Sequence, residues 1–239
     1  MFRTIVFSAF GAALAVGLAL SALQAFTTEP LILHAEEFEG TEPQEHAAAS
    51  GWIAAQAHEH EAVSATADAD GWAPADGFER SAYTILANAV IGFGVALMLL
   101  GLMIAKGDPI DVKRGLLWGV AGFFAVSLLP SLGLPPELPG TPAAEIVSRQ
   151  TWWLATAGLS ADGIALIVFG RQWWWLAAGA LLILAPHLVG APQPPSHDVP
   201  YPGGLAGQFV VASLVVSAAL WTLAGATSGW LYRRLSAGG

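Results

Sequence analysis

The sequence predicts an all-α fold: a polytopic transmembrane helix bundle of about six spans carrying a long acidic outer loop. Three observations lead there. Of the 239 residues, 55% are hydrophobic and 11% charged, whereas a soluble domain carries about 25% charged residues. That much apolar surface needs lipid as its solvent. The apolar residues also gather into runs that contain no Lys or Arg. Finally, the nine basic residues fall between those runs in a strongly alternating pattern.

Crossing a bilayer takes about 20 apolar residues. Runs of that order lie at Ile5–Ala25, Tyr83–Ala105, Gly115–Leu132, Thr151–Phe169, Gln172–Val189 and Leu205–Leu231. The third and fifth are short and end in turns containing Gly and Pro. Backbone groups in hydrocarbon must be satisfied within the segment, so each run is expected to be helical. The chain divides into a first span or signal anchor (1–26), an acidic histidine-containing outer loop (27–82) and a five-span helical domain (83–239). The first run has a competing reading as a signal peptide. Arg3 supplies a basic start and Ile5–Leu20 the apolar stretch, but Leu23-Gln24-Ala25 matches a cleavage site poorly. Cleavage leaves five spans and the same topology.

Basic residues set the orientation. With a cytoplasmic N-terminus, Arg3, Lys106, Lys113, Arg114, Arg171, Arg233 and Arg234 share the inner side, leaving Arg80 and Arg149 outside. Both termini are then cytoplasmic, and the outer loops are 26–82, 133–150 and 190–204. Of the 18 acids, 12 lie between Glu29 and Glu79. Residues 27–82 are rich in Ala, Glu, Asp and His, a composition that buries little and favours partial disorder, with a local helix expected around Gly51–Val63. The Pro-punctuated loops 133–150 and 190–204 are expected to be rigid caps on the helix ends.

A net charge of −9 argues against nucleic acid and points to a segment that attracts cations. The absence of cysteine removes disulfides, thiolate metal sites and Cys nucleophiles. No P-loop and no His-Glu-x-x-His motif is present, and no nucleophile–base pair stands out, so an enzyme is not expected.

Imidazole and carboxylate groups form the ligand set for Co²⁺, Ni²⁺ or Zn²⁺. The acidic loop offers His34, Glu36 and Glu39, then His58 and His60; the equally simple reading is a solvated loop with incidental histidines. His187 lies near the outer end of the fifth span and His197 in the loop that follows. Asp162 sits well inside the fourth span, where an ionisable group is costly and by default a functional candidate; a packing hydrogen bond is its structural alternative. Gln24, Asn88, Gln150 and Gln208 cluster near outer helix ends and, with His187, sketch a polar path. The pairs Trp152-Trp153 and Trp230/Tyr232 and the run Trp173–Trp175 fit an interfacial aromatic belt. Gly115/Gly119, Gly203/Gly207 and Gly225/Gly229 have the spacing that permits close helix approach, within the chain or to a partner.

Three strings are more specific than hydrophobicity. They are the run Pro30–Glu39, the segment Gly133–Gly140 followed by Arg149–Trp153, and the run Ala185–Pro194. Through them the chain resembles, over nearly its full length, the CbtA-type proposed cobalt transporter subunits. The resemblance implies a bacterial inner-membrane protein linked to cobalt supply for cobalamin synthesis. It also implies a small single-span, histidine-bearing CbtB-type partner. Glu137, Arg149, Gln150 and His187 fall on the matching strings, whereas His58-Glu-His-Glu61 looks particular to this chain. The expected function is then a membrane-embedded subunit of a divalent metal transporter, with cobalt as cargo and no prosthetic group. The alternative is a non-transporting scaffold that recruits the single-span partner.

Overall fold

A computed structural model describes residues 2–39, 74 and 77–238, and among them the architecture is entirely helical. The expected helix around Gly51–Val63 lies outside the described residues. Seven helices follow in order: α1 (Phe2–Phe26), α2 (Thr28–Glu39), α3 (Phe78–Lys106), α4 (Val112–Ser131), α5 (Ile146–Phe169), α6 (Trp173–Val189) and α7 (Gly203–Ala237). α1, α3, α4, α5 and α7 are each long and apolar enough to span a membrane, and α6, at 17 residues, is a shorter apolar helix. The six expected runs are therefore six helices, and the chain is a multi-pass membrane protein. Consecutive spans run antiparallel. One end of the bundle carries the seven clustered basic residues and the other carries the two proline-rich loops.

Local chemistry sets the boundaries. α3 stops at Gly107, which takes the left-handed conformation (φ 75°) and donates its N–H to the Met103 and Ile104 carbonyls, the usual glycine solution to a helix end. Four residues later Asp111 starts α4 by accepting the Arg114 N–H at 2.9 Å. At the basic end, Trp118 Nε1 donates to Asp108 at 3.0 Å, and the Lys106 ammonium lies 4.6 Å from the Phe169 ring centroid. These contacts tie α3, α4 and α5 together. Within α4, residues Phe123–Leu128 widen into a π-turn. Pro130 has no N–H to offer Val126, and its ring would crowd that carbonyl in a regular helix. The widened turn relieves the clash and turns Ser127 toward α7, where it accepts from Trp221 Nε1 at 3.2 Å.

Lipid is as apolar as leucine, so burying apolar side chains does little to drive these helices together; close packing and interhelical hydrogen bonds do. The glycines supply the close packing. A methyl on Gly115 would overlap the Gly225 carbonyl, one on Gly225 the Gly115 carbonyl, one on Gly119 the Trp221 carbonyl and one on Gly229 the Asp111 carbonyl. Gly115/Gly119 and Gly225/Gly229 thus meet each other within the chain, across the α4–α7 crossing. Gly163 and Gly179 make a second such crossing between α5 and α6. By contrast Gly203 and Gly207 have open space before them. α1 packs along α3 and α7, contributing Val16 and Leu20 to one core cluster and Ala9 and Ala12 to another. A bundle without α1 would expose both.

Sequence and structure differ in two places. Residues 28–39 are not loop but the helix α2, with Ala35 fully buried against Leu138, Tyr201, Leu205 and Phe209. Glu29 and Glu37 are exposed while Leu31, Ile32, Ala35 and Phe38 pack, so composition hid a short amphipathic helix. Trp152 is not part of the aromatic belt. It is 8% exposed, its Nε1 donating to the Pro186 carbonyl at 3.3 Å and its ring 5.7 Å from His187. Trp173–Trp175 and Trp230 are exposed, as a belt requires.

The glycine crossing makes a direct prediction. Gly115→Ala should lower the thermal midpoint in detergent, with overpacking worth roughly 1–3 kcal/mol. Gly101→Ala, facing open space, should leave it unchanged or raise it slightly. Circular dichroism melts of both variants check this, and equal midpoints would show that α4 and α7 do not touch backbone to backbone.

Candidate functional site

The proline-rich end of the bundle forms a cap. Residues 132–145 join α4 to α5, residues 190–202 join α6 to α7, and α2 packs beneath both. Proline and glycine fix the course of these loops: Gly140 (φ 76°) and Gly190 (φ 89°) hold turns that other residues rarely adopt. Tyr201, 4% exposed, hydrogen-bonds through its hydroxyl to Thr141 and so clips one loop to the other. Between them lies a cleft of about 280 Å³, with Glu137, Thr141, Gln193, Ser196, His197 and Tyr201 among prolines on its walls. Its polar groups are oxygens, the Gln193 amide and one imidazole, set in a lining that also includes Leu134, Leu138, Val199 and Val210.

Glu137 is the charged centre of the cleft. Its Oε2 accepts from Arg149 at 2.6 Å, with both side chains about 30% exposed. Arg149 stands on the first turn of α5, which Glu145 caps by accepting the Val147 and Ser148 N–H groups at 2.9 and 2.7 Å. Those hydrogen bonds hold the Glu145 carboxyl below the ordinary range. Burial pushes Glu137 the other way, above its ordinary value of 4.5, and outweighs the pull of the Arg149 charge and hydrogen bond. A half-buried pair of this kind gives orientation more than net stability.

The other sequence candidates fall in different places. Asn88 and Gln24 do meet: Asn88 Nδ2 donates to Gln24 Oε1 at 2.6 Å and to Ser21 Oγ at 2.9 Å. This is a buried polar clasp between α1 and α3, and Ser21 is the member that sequence reasoning missed. Gln150 and Gln208 are exposed and do not join it. His187 is partly buried beside Trp152, with Nε2 buried and without a hydrogen-bond partner. His197 reaches the cleft, but His34 is exposed on α2, stacked near Phe38 at 5.6 Å. Glu36 lies 3.8 Å from Arg80, Glu39 ends α2, and His58 and His60 lie outside the described residues. Asp162 is exposed on the outer face of α5, away from His187. Among the described residues no three His, Asp or Glu side chains converge as a metal site would require. Thr141, Gln193, Ser196 and Tyr201 were not singled out from the sequence. Their only signal was a shared setting among prolines.

The raised Glu137 value fixes a sign. Because the folded protein holds this proton more tightly than the unfolded chain, the stability linked to it is complete below 4.5 and is lost as pH rises through the raised value. The thermal midpoint of the wild type minus that of Glu137→Gln should therefore fall as pH is raised across the window opening at 4.5. A difference that instead grows with pH would mean that Arg149 dominates.

No curated protein and no solved structure matches the chain. One family model does match, described as a probable cobalt transporter subunit, and it covers residues 2–233, from the first turn of α1 to the last turns of α7. A match over nearly every helix of the bundle and both proline-rich loops places this chain in the CbtA family of probable cobalt transporter subunits.

Proposed function

We propose that this chain is the membrane-embedded subunit of a divalent cation transporter with cobalt as its cargo, not an enzyme, in the bacterial inner membrane with both termini cytoplasmic. The observation that carries the reading is the family match across residues 2–233. The positive-inside rule supports the orientation: seven of the nine basic residues sit at one end, so the proline-rich cap faces outward. In this reading the acidic segment between Glu29 and Glu79 raises the local cation concentration. The cleft then receives the hydrated ion, with Glu137 and His197 offering an oxygen and a nitrogen. Arg149 positions the Glu137 carboxylate and limits how much negative charge the cleft presents. His187, with its unpartnered Nε2, stands where the cap meets the helices and is the next ligand candidate. A small single-span CbtB-type subunit completes the transporter.

The scaffold alternative draws on one observation, that no three metal-ligating side chains converge among the described residues. Uptake separates the two readings. Cells lacking their own cobalt uptake, expressing this chain with the single-span subunit, should accumulate radiolabelled Co²⁺ above cells expressing either alone, with Ni²⁺ and Zn²⁺ measured as competitors. His197→Ala and His187→Ala should each lower the initial rate several-fold, by analogy with losing one ligand or its support at a metal site. Stable co-purification of the two chains with no metal accumulation would favour the scaffold.

A further inference from the structure

Asp162 is the one ionisable side chain within the apolar stretch of α5, and the structure leaves it on the outside of the bundle. α5 buries Trp152, Thr156, Ala157, Ser160 and Gly163. On its opposite face Leu154, Ala155, Gly158, Ala161, Asp162 and Val168 are exposed. Gly158 has open space before it, so a smooth strip of small residues runs along this face with Asp162 on it. By helix rise, Asp162 lies about 24 Å from the α5 N-terminus and about 10 Å from its C-terminus. The side chain is short and its Cβ tilts toward the helix N-terminus, which here points away from the nearer membrane surface. It cannot snorkel out as lysine or arginine would. Among the described residues none forms a hydrogen bond or ion pair with its carboxylate. An acid with no partner at this depth, facing lipid, is strongly disfavoured.

We propose that the exposed face of α5 is the docking surface for a transmembrane helix of the partner subunit, one that places a basic or imidazole side chain opposite Asp162. The small residues let the two backbones approach, and the acid supplies the specific contact. A second copy of this chain does not meet that chemistry. Its apolar runs contain no Lys or Arg, their one histidine, His187, is part-buried against Trp152 near the opposite end of the bundle, and a two-fold interface on this face would bring Asp162 against itself. The exposed Gly204/Gly207/Gln208 groove on α7 has small residues but no charge, so it makes the comparison surface. The inference rests on the proposed function only in requiring a partner subunit, and its readouts are assembly and not transport.

The chain contains no cysteine, so single-cysteine variants report without background. Full-length protein co-expressed with the small single-span subunit carries a cysteine-directed photo-crosslinker at Ala155, Ala161 or Val168, or at Val211 on α7 for comparison. Adducts of the mass of one chain plus one partner should form from α5 and not from Val211. Asp162→Asn should reduce the co-purified partner roughly ten-fold, while Asp162→Glu should retain it. Asp162→Leu should raise the thermal midpoint of the isolated chain while removing the partner from the complex, a divergence that a folding role in the bundle would not produce. Adducts from Val211 alone, adducts of twice the chain's own mass, or unchanged partner yield in Asp162→Asn would each overturn the proposal. Cobalt uptake by the wild-type pair is scored separately, so a failure of docking and a failure of transport remain distinct.

Discussion

The bundle depends on one constraint: helices in lipid must be held together without a hydrophobic driving force. The chain meets it with glycine. Where α4 crosses α7, Gly115 and Gly225 bring two backbones so close that a single methyl on either would strike a carbonyl. That contact seats α7 in the centre, from which it also reaches α1, α2 and α3. The π-turn of α4 belongs to the same crossing, since it absorbs Pro130 and presents Ser127 to Trp221. Polar clasps such as Asn88–Gln24 then add direction to packing that dispersion alone leaves loosely specified.

The cap is built on different principles. It lies at the helix ends, where loop backbone can reach water and need not be satisfied internally. Proline stiffness replaces hydrogen-bonded regularity there, and α2 supplies an apolar floor. The consequence is a shaped cleft whose walls are largely proline and apolar side chains, with a few polar groups among them. Glu137 shows how such a site is tuned: burial raises its proton affinity while Arg149 lowers it and fixes its direction. A transporter needs a site that can be occupied and vacated. On the proposed function, a carboxylate already engaged by arginine serves an incoming ion as a weak ligand.

Asp162 and His187 illustrate two fates of polar residues in spans. Both stood out in the sequence for the same reason, polarity in an apolar run. The structure separates them, turning one toward Trp152 at the base of the cap and the other out of the bundle. Helical phase decides this, and α5 has small or apolar residues on every side of Asp162, so its sequence gives no clear polar face from which to read the phase.

Much could be read from residues alone. Apolar runs of spanning length without Lys or Arg determined six helices, because hydrocarbon permits no other backbone solution for a chain of this kind. The same limit made the glycine spacings meaningful, and the pairing of Gly115/Gly119 with Gly225/Gly229 followed once α4 and α7 became neighbours. Composition failed at α2, where acids are as many as the apolar residues that matter and only contact with Leu138, Tyr201 and Phe209 reveals an amphipathic helix. It failed also at Trp152, since burial depends on what lies opposite. Tertiary structure alone decided which polar groups meet: Tyr201 with Thr141, Glu137 with Arg149, Asn88 with Gln24, and nothing within the described chain with Asp162. The physical reason is that spanning a membrane is a property of each segment by itself, whereas a site is a property of the distances between segments.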